Sequence, residues 1–425
     1  MVVPRPVVLA HLDWQRPGDP RTGLGVASIA AATRAAGAPT SIVSDAVNRS
    51  GFDAAAWVEQ VVATLQASGP DALLGVSAFV WNEPEVQTLM ATARRETTAT
   101  VVVGGPQVSY LPVGALERAY PDAHYLVRGH GEPAMVALAT GDAGAGLGLH
   151  AAGDHDLGLR ADVSLADLPS PYLDGTLRIE RSVRWETQRG CPYACAFCQH
   201  REPGSRLRFR ELGADRIAHE AQAFEAARVE RLSVLDPIFH ANPKRALQTL
   251  RAVRAARLGA QLSLQCRFEL VDEVFLDALD GLDVALEFGL QTANEGESKV
   301  IGRHNRLDEV ARAIEALHRR RVPFEVSLIY GLPTQTLSSF EASIAWCRAH
   351  GVATIRAWPL MLLRGTPLQA ERTKWGFEES VGERIPIVVA SDTFTREEHA
   401  EMARLARALE DPHPAPSVKN PEITS

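Results

Sequence analysis

Three of the five cysteines of this chain lie within eight residues, in the segment Cys191-Pro-Tyr-Ala-Cys195-Ala-Phe-Cys198. Thiolates at such short spacings are the ligands that iron–sulfur clusters use. A loop with the pattern CxxxCxxC can wrap three thiolates around a cubane cluster and leave the fourth iron without a protein ligand. The odd number of cysteines and their tight clustering argue against a disulfide framework and for a metal site.

A structural zinc site is the alternative for this segment. Such a site normally takes four protein ligands, and His200 is close enough in sequence to be the fourth. Nothing else in the chain resembles a zinc ribbon, so we favour the cluster. Of the two other cysteines, Cys347 is expected to pack in a helix. Cys266 lies on a predicted strand. Two roles are compatible with that position, a small buried side chain in the core and a catalytic thiol that faces the inside of the domain.

The cysteines follow a predicted strand, at the start of a region in which strands and helices alternate. Six apolar runs predict strands at 182–188, 231–235, 261–268, 283–288, 323–329 and 353–360. Six such units predict a partial (β/α)6 barrel of the TIM type, whose active residues lie at the carboxyl ends of the strands. The cysteines come directly after the first strand, where that rule places functional residues.

The first part of the chain alternates in the same way. Apolar runs at 6–12, 41–44, 72–80, 100–103 and 123–127 predict buried strands, and with helices between them they indicate a doubly wound, Rossmann-like parallel α/β sheet. Ligands of such sheets bind at the carboxyl ends of the strands, where the strand order reverses. Small residues are available there, namely Ser77 within the third strand, Gly104-Gly105-Pro106 after the fourth and Gly129-His130-Gly131 after the fifth.

Stretches rich in glycine and proline divide the chain. The segments 141–148 and 168–175 have the composition of linkers. We therefore predict a first domain over 1–140, a linker over 141–178, a barrel over 179–365, a C-terminal helical closure over 366–410 and a disordered tail over 411–425. The closing helix, near 396–409, is expected to cover the barrel mouth or to pack on the first domain.

Charge and hydropathy exclude several classes of partner. The formal net charge of −8 repels phosphates, which disfavours a nucleic-acid partner. No run of about 18 apolar residues exists, so we expect no transmembrane helix and no membrane partner. The first residues lack the layout of a signal peptide. The sequence predicts a cytoplasmic protein.

The cysteine segment, with an aromatic residue before its last cysteine, resembles the signature of the radical S-adenosylmethionine (SAM) superfamily. The resemblance extends over most of the barrel, through the segments 186–192, 234–239, 287–292, 301–303 and 329–333. It implies that Cys191, Cys195 and Cys198 hold a 4Fe–4S cluster whose open iron binds SAM. Reductive cleavage of SAM would give a 5′-deoxyadenosyl radical, which abstracts hydrogen from an unactivated carbon. A flavodoxin- or ferredoxin-like protein would supply the electron.

The same resemblance implies which residues contact SAM. Positions 236 and 237 end the second strand, where many members place Gly-Gly-Glu against the SAM amino group. Arg267 ends the third strand and is a candidate partner for the SAM carboxylate. Buried hydrogen bonds or ion pairs within the barrel remain the alternative for Arg267, Glu287, Gln291 and Arg303. The candidates for SAM binding are Asp236, Pro237, Arg267, Glu287, Gln291, Arg303, Ile329 and Gly331.

The first domain resembles the cobalamin-binding domain of cobalamin-dependent radical SAM enzymes, in the segments 23–32, 76–82, 103–106 and 129–132. His130 stands where family members usually have the first glutamate of Gly-Glu-Gly-Glu. A nucleotide-type fold without cofactor is the alternative. The candidates for cobalamin binding are Ser77, Trp81, Gly104, Gly105, Pro106, Gly129 and Gly131.

Other cobalamin enzymes supply a histidine to cobalt from an Asp-x-His-x-x-Gly motif, which is absent here. Asp122 and His124 have the first spacing, but position 127 is valine and the pair lies at the last strand instead of the first. We therefore predict that the lower face of a bound cobalamin receives no histidine from that motif.

The resemblance implies methylation of an unactivated carbon of a small molecule or natural-product intermediate, held between the two domains. One SAM would methylate reduced cobalamin and a second would give the radical. Cyclisation or rearrangement without methyl transfer is an alternative, and a non-catalytic iron–sulfur redox protein is a second. A methylthiotransferase is disfavoured, because that family carries three further cysteines near its N-terminus and none precedes Cys191 here.

Overall fold

The chain forms two six-stranded sheets, which follow one another along the sequence. The computed structural model describes residues 3–16, 23–142, 147–200 and 210–410. The predicted tail over 411–425 and residues 143–146 of the predicted linker lie outside the described residues. No helix among the described residues is long and apolar enough to cross a membrane.

The first sheet has the doubly wound order that the sequence predicts. Its strands are β1 (Val7–Asp13), β2 (Thr40–Ala46), β3 (Leu73–Ser77), β4 (Thr100–Gly104), β5 (Tyr125–Val127) and β6 (Leu149–Ala151). They lie in the order β2-β1-β3-β4-β5-β6, so that the strand order reverses between β1 and β3. The first five are parallel, and β6 pairs antiparallel with β5.

Strand β6 falls in the segment that the sequence predicts to be a linker. The first sheet therefore continues beyond residue 140. Farther along the chain, a β-bridge joins Gly129 to Ala161, so residues up to about 161 pack on this domain as well.

Helices cover both faces of the first sheet. They are α1 (Leu24–Ala35), α2 (Ala54–Ser68), α3 (Glu83–Glu96), α4 (Pro106–Ser109), α5 (Leu116–Ala119) and α6 (Gly131–Thr140). Residues of α1 and α6 pack with Val7 and Leu9 on one face, and residues of α2 and α3 pack with Val8 and Ala10 on the other. This alternation along β1 is what a strand buried on both faces requires.

The second sheet confirms the partial barrel. Its strands are β7 (Ser182–Trp185), β10 (Arg231–Val234), β11 (Gln261–Cys266), β12 (Val284–Gln291), β13 (Phe324–Tyr330) and β14 (Thr354–Pro359). They are parallel and lie in chain order. Between β7 and β10, the short strands β8 (Gln188–Arg189) and β9 (Arg210–Glu211) form an antiparallel pair.

The helices of the barrel alternate with its strands. They are α7 (Ala214–Ala226), α8 (Pro243–Ala256), α9 (Glu273–Leu279), α10 (Glu295–Val300), α11 (Leu307–Arg319) and α12 (Leu337–Ala349). Helix α11 buries Val310, Ala313, Ile314 and Leu317, which recur at the helical spacing of three and four residues.

The last part of the chain closes the outer edge of the barrel. It contains α13 (Pro367–Ala370), a hairpin of β15 (Glu378–Glu379) and β16 (Val388–Ala390), and α14 (Arg396–Glu410). Helix α14 packs along β14 and against α12 and buries Met402 and Ala406. The predicted closing helix thus covers the last strand of the barrel.

Phe224 of α7 offers a test of the barrel core. Its ring is fully buried and meets the rings of Tyr172 and Trp185 edge-on, at centroid distances of 5.0 and 5.6 Å. We expect Phe224→Ala to lower the free energy of unfolding by about 3–5 kcal/mol, because it leaves a cavity among these rings. Urea denaturation measures the loss. The control Val381→Ala, at a side chain that is 94% exposed, should leave the curve in place.

Candidate functional site

The three clustered cysteines line one cavity of about 560 Å³ inside the barrel. Their loop is held from two sides by backbone hydrogen bonds. The amide of Ala196 donates to the carbonyl of Ile301 (2.8 Å), and the amide of Leu368 donates to the carbonyl of Ala196 (3.2 Å). The loop is therefore positioned by the segments that follow β12 and β14, in addition to its own strand.

The three thiols line one cavity without converging on one point. Among the described residues, no three His, Cys, Asp or Glu side chains converge on one point that could hold a metal ion. A cubane cluster carries its irons at separate corners, so its ligands need not converge in this way. Burial raises the pKa of the Cys198 thiol to about 11 and also raises the pKa of the Cys191 thiol, so these two sulfurs become thiolates only when a metal replaces their protons.

Arg303 brings a buried positive charge to the cysteine loop. Its Nη1 lies 4.0 Å from Cys195 Sγ, its side chain is buried, and its Nε has no hydrogen-bond partner among the described residues. A Cβ at Gly289 would lie 2.4 Å from Gln291 Nε2 and 3.3 Å from Arg303 Nη2. Gly289 thus leaves room for both side chains. The guanidinium suits a carboxylate or the sulfurs of a cluster.

Gln291 ends β12 in an unusual conformation. Its φ is +69°, and the pairing of β12 with β13 shifts register between Gly289 and Gln291. Non-glycine residues in the left-handed region are strained and concentrate at functional sites. The bulge turns the Gln291 side chain into the cavity that the cysteines line.

Arg267 is held by two neighbours. It forms an ion pair with Glu269, and its guanidinium carbon stacks 3.8 Å from the ring centre of Tyr193, inside the cysteine segment. His240 bonds to the Arg267 carbonyl. Burial lowers the pKa of His240 to about 4, so its imidazole is neutral. Arg267 therefore has a fixed position at the wall of the cavity.

The other candidates for SAM binding divide into two groups. Pro237, Glu287 and Ile329 line the cavity with the cysteines. Asp236 and Gly331 do not line it. The geometry does not support a contact of Asp236 or Gly331 with SAM.

Asp236 turns its carboxylate towards the chain that leads to the cysteines. The amides of Thr187 and Gln188 donate to its Oδ1, at 2.7 and 3.0 Å. Burial raises the pKa of Asp236 to about 7, although these hydrogen bonds oppose the increase. The side chain ties β10 to the segment between β7 and β8 and is a positioning group.

Cys266 and Cys347 are buried in the barrel core. Cys266 shares its side of β11 with the buried Leu262 and Leu264. Burial raises the pKa of the Cys266 thiol well above its ordinary value. Cys347 therefore packs in the core. Cys266 also lines the cavity of the three cysteines, where its protonated thiol is a poor nucleophile.

The candidates for cobalamin binding meet at one edge of the first sheet. A cavity of about 390 Å³ opens there between the sheet and the first turns of α1 and α6. Its inner end is apolar and its mouth is polar. Six of the seven predicted residues line this cavity: Ser77, Trp81, Gly104, Gly105, Gly129 and Gly131. The seventh, Pro106, lines an adjoining cavity.

The fold itself requires glycine at two of these positions. Gly105 and Gly129 have φ angles of +93° and +85°. A Cβ at Gly105 would lie 2.7 Å from the carbonyl oxygen of Ala78, and one at Gly129 would lie 2.4 Å from that of Ala161. Substitution at either position would disturb the backbone whether or not a ligand is bound.

The pocket fits the shape of a cofactor with an apolar tail. Its inner end is lined by apolar side chains, among them Leu9, Val102 and Met135, and Gly75 adds no side chain there. Gly104, Gly105, Gly129 and Gly131 also line the pocket, so its backbone is accessible to a large ring. An apolar slot beneath an open polar edge suits cobalamin, whose benzimidazole is apolar and whose corrin carries amides.

The two histidines of the sequence analysis lie in different places. The backbone amide of Val101 donates to His124 Nδ1 (2.9 Å), near the first residues of β4, so His124 is remote from the pocket. His130 lines the pocket. Burial and the charge of Arg189 lower the pKa of His130 to about 4, so its imidazole is neutral.

Charged residues that the sequence analysis missed connect the pocket to the barrel. Glu132 on α6 is buried and accepts hydrogen bonds from Ser28 Oγ (2.9 Å) and Arg189 Nη2 (2.8 Å). Arg189 also pairs with Glu186 and contacts His130 Nδ1 at 3.1 Å. Because Arg189 lies two residues before Cys191, this network joins the pocket of the first domain to the cysteine loop. No local pattern marks residues that meet only in the folded chain.

A third cavity, of about 800 Å³, lies between the other two. It shares Phe79, Gly105, Gly129, His130, Arg189 and Leu235 with the pocket of the first domain. With the cavity of the cysteines it shares His200 and Pro237. The three cavities therefore adjoin one another in a row from the first sheet to the cysteines, and we call this row the channel.

Two protein families match this chain, one in each half. The model of the B12 binding domain matches residues 18–139, and that of the radical SAM superfamily matches residues 185–347. The first match covers strands β2 to β5, and the second covers strands β8 to β13.

Two methyltransferases are similar to this chain in sequence. The chain is 29% identical over 330 residues to the cobalamin-dependent radical SAM methyltransferase TokK of Streptomyces tokunonensis, and the match covers 70% of this chain and 48% of TokK. It is 28% identical over 348 residues to the 2-(S-pantetheinyl)-carbapenam-3-carboxylate methyltransferase of Streptantibioticus cattleyicolor, covering 72% of this chain and 49% of that protein. The chain thus spans about half the length of these relatives.

Solved structures share the fold over almost the whole chain. The radical SAM methyltransferase TsrM of Kitasatospora setae, with cobalamin and a [4Fe-4S] cluster bound, superposes with a TM-score of 0.74 at 17% identity, covering 96% of this chain and 91% of TsrM. The cobalamin-dependent SAM radical enzyme OxsB, with aqua-cobalamin bound, superposes with a TM-score of 0.69 at 12% identity, covering 94% of this chain and 66% of OxsB.

The network around Glu132 can be tested by removing its charge. We expect Glu132→Gln to lower the free energy of unfolding by about 1–3 kcal/mol, because Glu132 is buried and the change leaves the half-buried Arg189 with one carboxylate partner fewer. Glu230 gives a matched control, since it forms an ion pair of similar length (2.7 Å) with Arg181 but both side chains are exposed. Glu230→Gln should change urea denaturation little. Equal effects of the two variants would contradict the proposed role of the buried network.

Proposed function

We propose that this chain, a radical SAM protein with a B12-binding domain, is a cobalamin-dependent methyltransferase that acts on an unactivated carbon of a small molecule. The observation that supports the proposal is the row of three adjoining cavities, which share wall residues, between the first sheet and the three cysteines. A substrate in its middle section would face both cofactors, as carbon methylation requires. Both cofactors act when bound, cobalamin as methyl carrier and the cluster with SAM as source of a radical.

At the barrel end, the chain supplies ligands and charge. Cys191, Cys195 and Cys198 would hold the cluster. The guanidinium of Arg303, directed at the cysteine loop, would compensate negative charge of the cluster or of the SAM carboxylate. Gln291, turned inward by its bulge, and Glu287 would bind polar groups of SAM.

At the other end, the first domain would hold cobalamin. The slot between β1, β3, α1 and α6 would take the apolar tail, and the glycine-lined mouth would leave room for the corrin ring. Its mouth also includes Arg184, Arg189 and Leu235 of the barrel. The barrel thus contributes to the cofactor pocket of the first domain.

The middle of the channel would take the substrate. Its wall carries Arg160, which bonds to the Ser109 carbonyl (2.6 Å) and stacks over Tyr110. Because the chain spans half the length of its sequence relatives, their substrates do not define this one. The radical reaction needs one electron per cleavage, and we propose a flavodoxin- or ferredoxin-like donor. An iron–sulfur cluster and free thiols favour a reducing compartment, so we place the reaction in the cytoplasm.

The decisive test separates the two uses of SAM. The protein is reconstituted anaerobically with iron, sulfide and hydroxocobalamin, reduced with titanium citrate and given SAM. We expect S-adenosylhomocysteine, formed only when cobalamin is present, and 5′-deoxyadenosine, formed only when the cluster is present. Production of 5′-deoxyadenosine alone would indicate cyclisation or rearrangement and would contradict methyl transfer. Absence of both products would favour a redox protein.

Single substitution of the cysteines tests the cluster ligands. We expect Cys191→Ala, Cys195→Ala or Cys198→Ala to remove most of the iron and to abolish 5′-deoxyadenosine formation, while cobalamin stays bound. Cys347→Ala is the matched control, because Cys347 is a buried cysteine in α12 that does not line the cavity. It should keep its iron. Full cleavage of SAM by any of the three variants would refute the assignment.

Filling the pocket tests where cobalamin binds. Gly104 lines the pocket, and a Cβ there would have only ordinary contacts with Val127, at 3.6 Å. We expect Gly104→Leu to weaken hydroxocobalamin binding at least about 10-fold, a loss of about 1.4 kcal/mol, and to leave the iron content unchanged. Gly259→Leu is the control, since no atom lies within 4 Å of a Cβ at Gly259. Unchanged retention after desalting would exclude this placement.

A further inference from the structure

His11 is a buried side chain whose hydrogen-bonding groups have no partner among the described residues. It is 6% exposed, and neither Nδ1 nor Nε2 has a hydrogen-bond partner there. A buried imidazole without partners is costly, so such a group calls for an explanation. His11 lines the pocket at the first sheet, which makes a ligand the natural partner.

The register of the sheet places His11 at a defined depth. Leu9 pairs with Gly75, and Gly75 pairs with Val102, so these three residues form one apolar layer of the pocket. His11 lies two residues farther along β1, on the same side of the strand. At that level β3 and β4 carry Ser77 and Gly104, which pair with each other. A polar layer therefore lies directly above the apolar one.

Close packing holds the imidazole in place. A Cβ at Gly23, which precedes α1, would lie 2.5 Å from His11 Nε2, so the ring fits only because residue 23 is glycine. The ring of Phe79 meets the imidazole edge-on at 6.2 Å. Burial, and the charge of Arg184, lower the pKa of His11 although Asp13 opposes them. A neutral imidazole offers one N–H donor and one acceptor.

The two layers match the chemistry of the nucleotide tail of cobalamin. That tail consists of an apolar benzimidazole joined through a ribose and a phosphate to a side chain of the corrin ring. With the base in the apolar layer, the ribose–phosphate link must pass the level of His11 on its way to the mouth. We propose that His11 binds this link by donating a hydrogen bond to one of its oxygens. The inference rests on the proposed binding of cobalamin.

The experiment compares two corrinoids that differ in the tail. The full chain, free of cobalamin, is titrated with hydroxocobalamin and with diaquacobinamide, which lacks the benzimidazole, ribose and phosphate. His11→Phe keeps an aromatic ring against Gly23 and Phe79 but removes the donor. We expect it to weaken cobalamin binding about 10-fold, the effect of one lost hydrogen bond to a polar or charged acceptor. Cobinamide binding should stay unchanged.

Two further variants control for structural effects. His399→Phe replaces another buried histidine with an unpartnered ring nitrogen, in α14 and outside the pocket, and should alter neither affinity. His11→Gln retains an N–H donor and should recover part of the cobalamin affinity. If His11→Phe fails to fold, His11→Leu, which also lacks a donor, replaces it in both titrations.

The outcomes distinguish the inference from the function on which it rests. Failure of the unaltered chain to bind either corrinoid would overturn cobalamin binding and, with it, this role of His11. Normal binding by the unaltered chain with no loss in His11→Phe would overturn the inference alone. Equal losses for both corrinoids would place His11 against the corrin ring or cobalt. A nitrogen splitting in the electron paramagnetic resonance spectrum of bound cob(II)alamin, lost in His11→Phe, would identify it as a cobalt ligand and also overturn the inference.

Discussion

Ion pairs across the boundary between the two domains set the distance between the two cofactor cavities. In each pair the arginine belongs to the barrel half and the carboxylate to the first domain. The pairs are Arg184–Asp13 (2.7 Å), Arg189–Glu132 (2.8 Å), Arg364–Glu83 (3.0 Å) and Arg384–Glu85 (2.6 Å). Because they come from four separate segments of the barrel half, the domains cannot rotate about one contact without breaking the others. These ion pairs therefore hold the two cavities in a defined relative position.

Arg189 shows what a charged contact between the domains provides that an apolar contact does not. Buried ion pairs add little net stability, because desolvation offsets their attraction, but they are satisfied only in one geometry. An apolar contact at this place could slide. Arg189 must meet Glu132, Glu186 and His130 together, and it precedes the cysteine loop by two residues. We infer that the network fixes the orientation of this loop relative to α6.

The features that could be predicted from the sequence are those encoded by residues that are close together along the chain. The spacing of the cysteines and the apolar runs of the strands are local, and both sheets followed from them. Strand β6 was missed because its three residues, Leu-His-Ala, form no apolar run and extend the sheet only by pairing with β5. Asp236 was assigned to the SAM site from its place at a strand end, but its carboxylate turns towards Thr187. His11 stood out in no motif, since only the register shows which residues share its layer.

The composition of the first pocket links cofactor binding to the docking of the domains. Its inner end belongs to the first domain, but Arg184, Arg189 and Leu235 of the barrel complete its mouth. A ligand that touches both domains binds the docked arrangement better than the separated one. Binding and docking are thermodynamically linked. The free energy by which a bound ligand stabilises the docked domains equals the free energy by which docking strengthens the binding of that ligand. Since Arg184 and Arg189 also form two of the interdomain ion pairs, the contacts that hold the domains together and those that enclose the cofactor are in part the same.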